Sequence, residues 1–342
     1  MIKDKTLEKS VSIHSFKEQY TMPNIKAVVM AGRWIDWISD MKTASEKLHI
    51  VGVPTRDDLL REVVDAEVVI GRLPHEAFLK AKKLRWVQSI GVGFETMLYP
   101  EMLQSEVIIT NTAGAYDSVI SEHAMAHILA HSRGISGHER NRKNRKWSRE
   151  VHVMQIDGLT ACVLGLGSIG RTIAKRLHAF GLHVIAVDVQ AKTPPEGVAR
   201  VVHPDHMLDV LPEADIVLVA LPLTKSTEGV INAQCFNRMK KTALLINIAR
   251  GPIVNEPDLI TALQTGQIAG AGLDVFETEP LPTNNPLWDM PNVSFTPHIA
   301  SQCDEGNHNI KQIFIDNLRR YANGETLMNI IDKEKGYLVR PH

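Results

Sequence analysis

The sequence predicts a doubly wound α/β protein built from two parallel-sheet units, and three observations carry that expectation. Short apolar runs rich in Val, Ile and Leu alternate with amphipathic stretches from Ile25 to about Tyr321, the rhythm of strands buried on both faces and covered by helices. One repeat, TACVLGLGSIGRTIAKRLHAFGLHVIAVD at 160–188, sets Gly165, Gly167 and Gly170 between its first strand and its helix. The 342 residues have room for two domains of ordinary size, and the first α/β unit carries no such glycine turn of its own.

Taken in order, residues 1–24 are polar and read as an N-terminal extension to which no role is assigned, with ordered structure starting near Met22 to Ile25. IKAVVM then predicts a strand, residues 34–41 a helix, HIVGVP a strand, DDLLREVVDA a helix, EVVIG a strand, HEAFLKAKK a helix and RWVQSI a strand. VIITNT is a further strand after a short helical turn. Residues 117–134 form a long helix with Asp117 or Ser118 as its cap and Met125, Ile128 and Leu129 on one face, carrying the chain between the two units. The basic run HERNRKNRKW at 138–147 reads as the solvated surface of a helix and loop. Beyond 160–188, DIVLVAL, ALLINIA and IAGAGLDV are strands, VINAQCFNRM and EPDLITALQTG are helices, EPLPTNNPLW is a loop and VSFTPHIA a last short strand. A final helix from Cys303 to Tyr321 is long enough to run back to the first unit. The expected domains are therefore 25–125 plus 308–342, and an inserted 126–307.

Composition narrows the class. A 44% apolar content with a formal charge of −1 suits full cores and gives no sign of a nucleic-acid or membrane partner. The three cysteines, Cys162, Cys235 and Cys303, lie far apart without zinc or disulfide spacing, and no apolar segment follows the N-terminal lysines. Cytoplasm is the expected location, and no metal site is expected.

The glycine stretch points to a dinucleotide. Gly165 allows the tight turn, Gly167 lets backbone approach a pyrophosphate, and Gly170 lets helix and strand pack closely. Phosphates then sit on the helix N-terminus, at Ser168 and Ile169. Asp188, 18 residues after Gly170, is placed to accept from both ribose hydroxyls and to repel an added phosphate, so NAD(H) is expected over NADP(H).

Ligands of doubly wound sheets bind beyond the carboxyl ends of strands. Arg250 directly follows ALLINIA, and a guanidinium there can hold a carboxylate with two parallel hydrogen bonds. Glu279 lies five residues past Asp274, and His298 lies in TPHIAS at a strand end. Each alone has an ordinary reading, as a surface arginine, a loop acid and one of 15 histidines. Together beside a nicotinamide they make one device, in which the imidazole exchanges a hydroxyl proton, Glu279 orients it, and Arg250 fixes the substrate carboxylate. Arg72, in VVIGRLP, points to the same cleft if it ends its strand, and a second cation there would favour a phosphorylated or dicarboxylic substrate.

Three blocks, VLGLGSIGRTIAKRLHAFG, FNRMKKTALLINIARGPIVNEPDLITALQTGQIAGAGLDVFETEPLP and NPLWDMPNVSFTPHIAS, resemble the D-isomer-specific 2-hydroxyacid dehydrogenases, a likeness running from about residue 80 to 323. The resemblance implies a flavodoxin-like substrate domain made from both chain ends, an inserted Rossmann domain, and a homodimer built through the cofactor domain. It implies that Arg250 binds substrate, that Glu279 partners His298, and that His298 donates and accepts the proton. In QSIGVGFE it assigns Val92 and Gly93 to backbone binding of the substrate carboxylate. Thr227 and Asp274, with Leu221, Pro222, Ile248, Ala249 and Ser301, fall along the cofactor. Phe94 and Glu95 depart from the pattern, since many relatives have other residues followed by Asp. Glu279 argues against formate dehydrogenase, a relative with glutamine in that place. The implied activity is reduction of a small 2-oxo acid, or oxidation of a 2-hydroxy acid, with closure of the domains excluding water. The alternative reading is an NAD-sensing corepressor-like scaffold, for which only the basic run and the extension offer a surface.

Overall fold

The computed structural model describes residues 25–191 and 193–338, so the expected N-terminal extension at 1–24 lies outside the described residues. The first sheet has five strands, β1 (Ile25–Met30), β2 (Leu48–Val53), β3 (Val68–Ile70), β4 (Trp86–Gln88) and β5 (Ile108–Thr110). All are parallel, in the order β2-β1-β3-β4-β5. That is the flavodoxin-like order, which reverses direction between β1 and β3 and opens a crevice at their carboxyl ends. The connecting helices are α1 (Ile38–Met41), flanked by 3-10 turns, α2 (Arg56–Glu62), α3 (His75–Lys80) and α4 (Pro100–Gln104). Thr55 caps α2 by accepting from the backbone N–H of Asp58.

Two helices, α5 (Asp117–Ser132) and α6 (Ile135–Lys143), carry the chain to the second sheet. The cap expected at Asp117 or Ser118 is not used. Helix α5 begins at Asp117 itself, whose carboxylate accepts from the Ser168 hydroxyl at 3.1 Å, while Ser118 donates to Glu122. The basic run lies on α6 and the turn after it, exposed, with Glu139 paired to Arg142 and Glu150 to Lys146.

The second sheet has seven strands: β6 (Thr160–Leu164), β7 (His183–Val187), β8 (Arg200–Val202), β9 (Ile216–Val219), β10 (Leu244–Asn247), β11 (Gly270–Leu273) and β12 (Val293–Phe295). They run parallel in the order β12-β11-β10-β9-β6-β7-β8, the Rossmann order, with its reversal between β6 and β9. Between them lie α7 (Ser168–Ala179), α8 (Met207–Val210), α9 (Ala233–Arg238) and α10 (Glu256–Gln264). Strand β8 and helix α8 were not legible in the sequence, because RVV is a three-residue, half-exposed edge strand without an apolar run.

From the second sheet α11 (Asp304–Asn323) crosses back to the first. Its Phe314 packs edge-on against Trp34 and also meets Trp37, Lys311 pairs with Asp40 at 2.7 Å, and Asn317 donates to the buried Gln88 at 2.9 Å. A short hairpin, β13 (Ile331–Asp332) and β14 (Tyr337–Leu338), follows. Its Lys333 donates to the carbonyls of Met102, Ser105 and Val107, a cation closing the C-terminal end of α4. One core cluster runs from Ala27, Ile70 and Trp86 through Ile120, Ala124 and Ile128 of α5 to Ala161, Val163 and Ile246, and separate clusters fill the outer face of each sheet. Among the described residues no helix is long and apolar enough to cross a membrane.

Candidate active site

Strands β10, β11 and β12 lie side by side in register, with Asn247 opposite Leu273 and Leu273 opposite Phe295. Arg250, Asp274 and His298 stand three, one and three residues beyond those partners. Neighbouring strands are about 4.8 Å apart, so residues distant in sequence arrive at one sheet edge. His298 Nδ1 meets Glu279 Oε2 at 2.7 Å, and Glu279 Oε1 accepts from the backbone N–H of Phe276 at 3.0 Å, so both carboxylate oxygens are fixed.

His298 has φ +55°, a left-handed conformation that costs a non-glycine residue about 1–2 kcal/mol. Asp274 holds it there. The Asp274 carbonyl accepts the His298 N–H at 2.8 Å, Oδ1 accepts from Ile299 N–H at 2.9 Å and the Thr296 hydroxyl at 2.6 Å, and Oδ2 accepts from Ala300 N–H at 2.9 Å. Asp274 is 1% exposed. Burial pushes its carboxyl up, but hydrogen bonds from His123, Thr296, Ala300 and Ile299 outweigh that and hold it below the usual carboxylate range.

Arg250 is set by Asn247, buried at the end of β10, whose side chain accepts from Ala249 N–H and donates to the Arg250 carbonyl, both at 3.1 Å. The guanidinium donates from Nη1 to Ala249 O at 2.7 Å, its Nε lies 3.4 Å from Glu95 Oε1, and Nη2 faces Gly93 so closely that an added Cβ would sit 2.3 Å from it. Gly93 belongs to the loop after β4, so the two sequence-predicted carboxylate binders, one from each sheet, meet across the cleft. Within the loop the carbonyls of Gly91, Val92 and Gly93 accept from Thr112 N–H, the Asn111 amide and the Ser89 hydroxyl respectively. Among the described residues nothing accepts from the N–H of Val92 or Gly93. Arg72 leaves β3 towards the same loop, its Nη2 4.0 Å from an ideal Cβ on Gly91.

The glycine turn follows β6. Gly165 has φ +97°, and a Cβ there would lie 2.6 Å from Ala220 O, while a Cβ on Gly170 would lie 1.9 Å from Gly165 O. Both positions therefore require glycine. Around Gly167 nothing lies within 4 Å of an ideal Cβ, so the backbone before α7 faces open space. Ser168 is turned to Asp117 of α5, and Ile169 packs on the core. Leu221, Pro222 and Thr227 form the loop after β9, which Thr227 closes by donating to Pro222 O at 2.6 Å. Ile248 and Ala249 are buried beside Arg250, and Ser301 lies half-buried past His298.

Several residues of the site escaped the sequence reading. Ser89, Asn111 and Asn247 act only through backbone contacts and leave no pattern. His123 left one, since His123, His127 and His131 recur every four residues on α5, but the sequence reading did not single that spacing out.

The family described as D-isomer specific 2-hydroxyacid dehydrogenase, NAD binding domain, matches residues 125–300. A glyoxylate reductase of Thermofilum pendens is 33% identical over 290 residues, 82% of this chain and 86% of that protein. A D-isomer specific 2-hydroxyacid dehydrogenase from Xanthobacter autotrophicus, solved in complex with NADPH and MES, superposes with a TM-score of 0.79 at 31% identity over 91% of this chain and 99% of that one. The NADPH-dependent glyoxylate/hydroxypyruvate reductase of Sinorhizobium meliloti, solved with NADP and sulfate, superposes with a TM-score of 0.79 at 26% identity over the same shares, 91% and 99%.

These complexes correct the expected preference for NAD(H) over NADP(H), because the relatives hold the phosphorylated cofactor. The structure supplies a physical reason. Asp188 is 8% exposed, and its carboxylate accepts the backbone N–H of Leu166 at 2.7 Å and those of Gln190 and Ala191 at 2.8 Å. Its charge braces the glycine turn and the turn after β7, so the repulsion of a ribose phosphate inferred from the sequence does not decide the cofactor. The match over half the chain and the relatives of similar length agree with the two parallel sheets, flavodoxin-like and Rossmann. The chain belongs to the D-isomer-specific 2-hydroxyacid dehydrogenase family, NAD(P)-dependent oxidoreductases acting on CH–OH groups.

Proposed function

We propose that this enzyme interconverts a short 2-oxo acid and the matching 2-hydroxy acid with NADP(H), and that His298 exchanges the hydroxyl proton. The observation that carries the reading is the 2.7 Å contact of His298 Nδ1 with Glu279 Oε2, one strand from Asp274 and two from Arg250. The Glu279 carboxylate can only accept, so the Nδ1 proton stays on the ring and Nε2 is the nitrogen that serves the substrate oxygen. Glu279 also stabilises the imidazolium by proximity of charge.

The turn at Gly165, Gly167 and Gly170 with the start of α7 at Ser168 and Ile169 would hold the cofactor pyrophosphate. Leu221, Pro222, Thr227, Ile248, Ala249, Asp274 and Ser301 would line the rest of the cofactor site. When bound, the reduced cofactor supplies the hydride that the substrate carbon receives. Arg250 holds the substrate carboxylate by its outer edge, and the N–H groups of Val92 and Gly93 complete that clamp. Arg72, beside Gly91, would hold a second anionic group and favour a phosphorylated or dicarboxylic acid. We infer domains of 25–125 plus 308–342 and of 126–307, closing on each other to exclude water, and a homodimer through the cofactor domain.

Oxidation of NADPH, and in parallel of NADH, against small, aromatic, branched, dicarboxylic and phosphorylated 2-oxo acids tests the reading. One acid should be reduced at a specificity constant of about 10⁴ M⁻¹s⁻¹ or better. His298→Ala should lower kcat by about 10² or more while NADPH still binds. Tight NADPH binding with no turnover on any acid, or normal turnover by the variant, would overturn it.

A further inference from the structure

The three histidines of α5 share one face, which packs on β10, β11 and β12. Strand β11 has glycine where their rings pass, since a Cβ on Gly272 would lie 2.6 Å from His127 Cβ and one on Gly270 2.4 Å from His131 Cε1. The helix is thereby seated against the strand that ends in Asp274. His127 is buried, its Nδ1 lies 2.8 Å from Ser294 Oγ, and burial first, then neighbouring His123, lowers its pKa to about 4, so it is neutral near pH 7. His123 reaches further along the strand direction, with Nε2 2.7 Å from Thr296 Oγ1 and 3.4 Å from Asp274 Oδ1.

Proton accounting fixes the direction of these contacts. The Thr296 hydroxyl has one hydrogen, and the ionised Asp274 carboxylate only accepts, so that hydrogen goes to Asp274 Oδ1 at 2.6 Å. Towards His123 at 2.7 Å the hydroxyl can then only accept, so the His123 proton must be on Nε2, while His127 Nε2 lies farther off at 3.5 Å. A continuous chain results: His123 Nε2–H to Thr296, Thr296 to Asp274, and Asp274 to the backbone of His298, Ile299 and Ala300.

We propose that His123 is a positioning residue for the proton transfer, holding Thr296 and Asp274 so that His298 keeps its left-handed backbone and its imidazole stays on Glu279. The inference rests on the reading of His298 as the proton-exchanging group. It places the seat of the acid/base loop on the helix that joins the two domains, the same helix whose Asp117 receives the Ser168 hydroxyl at the cofactor turn. One element thus sets both halves of the site relative to each other.

His123→Phe keeps a ring and removes the donor, and His123→Gln returns an N–H of similar reach. Thr296→Val and Thr296→Ser form a second pair at the next link, which decides the matter if His123→Phe fails to fold. The expected result is a kcat lowered about tenfold or more in His123→Phe and Thr296→Val, with the KM for the oxo acid and the Kd for NADPH within about twofold, and most of kcat regained in His123→Gln and Thr296→Ser. Wild-type kcat in His123→Phe and Thr296→Val, or losses in which the Gln and Ser variants share equally, would overturn the proposal.

A second readout needs no substrate. In the cofactor-free protein the NMR resonance of the His298 Nδ1–H, identified by its loss in His298→Ala, should move in His123→Phe and Thr296→Val and return in Gln and Ser. An unchanged resonance overturns the proposal. Absence of turnover in the wild type instead sinks the assigned reaction, and the resonance still decides the positioning.

Discussion

Arg250 shows why the residue type matters at the site. Its guanidinium is anchored through Nη1 on Ala249 and flanked by Glu95 at Nε, which aims Nη2 at the Gly93 loop. An ammonium cannot be held at one edge and present another. Arg250→Lys should lower kcat/KM for the oxo acid by about 10² and leave NADPH affinity nearly intact, measured by steady-state rates and fluorescence titration; an unchanged specificity constant would exclude the clamp. Asp188 illustrates the converse. With its oxygens on three backbone N–H groups, Asp188→Asn should weaken NADPH and NADH together and lower stability by about 1–3 kcal/mol, read in parallel titrations and urea melts. A large swing of the cofactor ratio at unchanged stability would show a carboxylate facing the ribose instead.

Among the elements, the strands were legible because each parallel strand is a nearly continuous apolar run: IKAVVM, TACVL, IVLV and LLIN appear in the structure almost as read. Helix α11 was legible in extent and in its return, and its docking is specific. Phe314 is fully buried against Trp34 and Trp37, at ring separations of 6.1 and 6.2 Å. Phe314→Ala should cost about 3–5 kcal/mol in urea unfolding, and a loss under 1 kcal/mol would mean that α11 is held by its polar contacts with Asp40 and Gln88 alone. Helix α5 starts at Asp117, where the sequence placed it, and only its cap differs, for a physical reason. Asp117 is a strong cap type, but its side chain is drawn to Ser168, 51 residues away, and tertiary contact overrides local propensity. The hairpin at 331–338 was invisible because two-residue strands carry no periodicity.

For the whole molecule, the seating of α5 on the second sheet ties stability to pH. His127 has a folded pKa of about 4 against about 6.5 unfolded, so its contribution is complete above pH 6.5 and is lost as pH falls towards 4, on the order of 3 kcal/mol in all. The urea midpoint should therefore drop between pH 7 and pH 5, and His127→Gln should flatten that drop; equal slopes in both proteins would place the titrating group elsewhere.

The sequence by itself determined the two α/β units, the glycine turn, and Arg250, Glu279 and His298 as residues to bring together, because strand burial and backbone clearance write themselves into local patterns. It could not decide what those side chains touch. Arg250 meets Gly93 of the other sheet, Asp188 accepts from Leu166, 22 residues back, and His123 meets Thr296, 173 residues on, only through sheet register and helix docking. Those contacts exist only once parallel strands have set distant segments about 4.8 Å apart, which is why tertiary structure alone decided them.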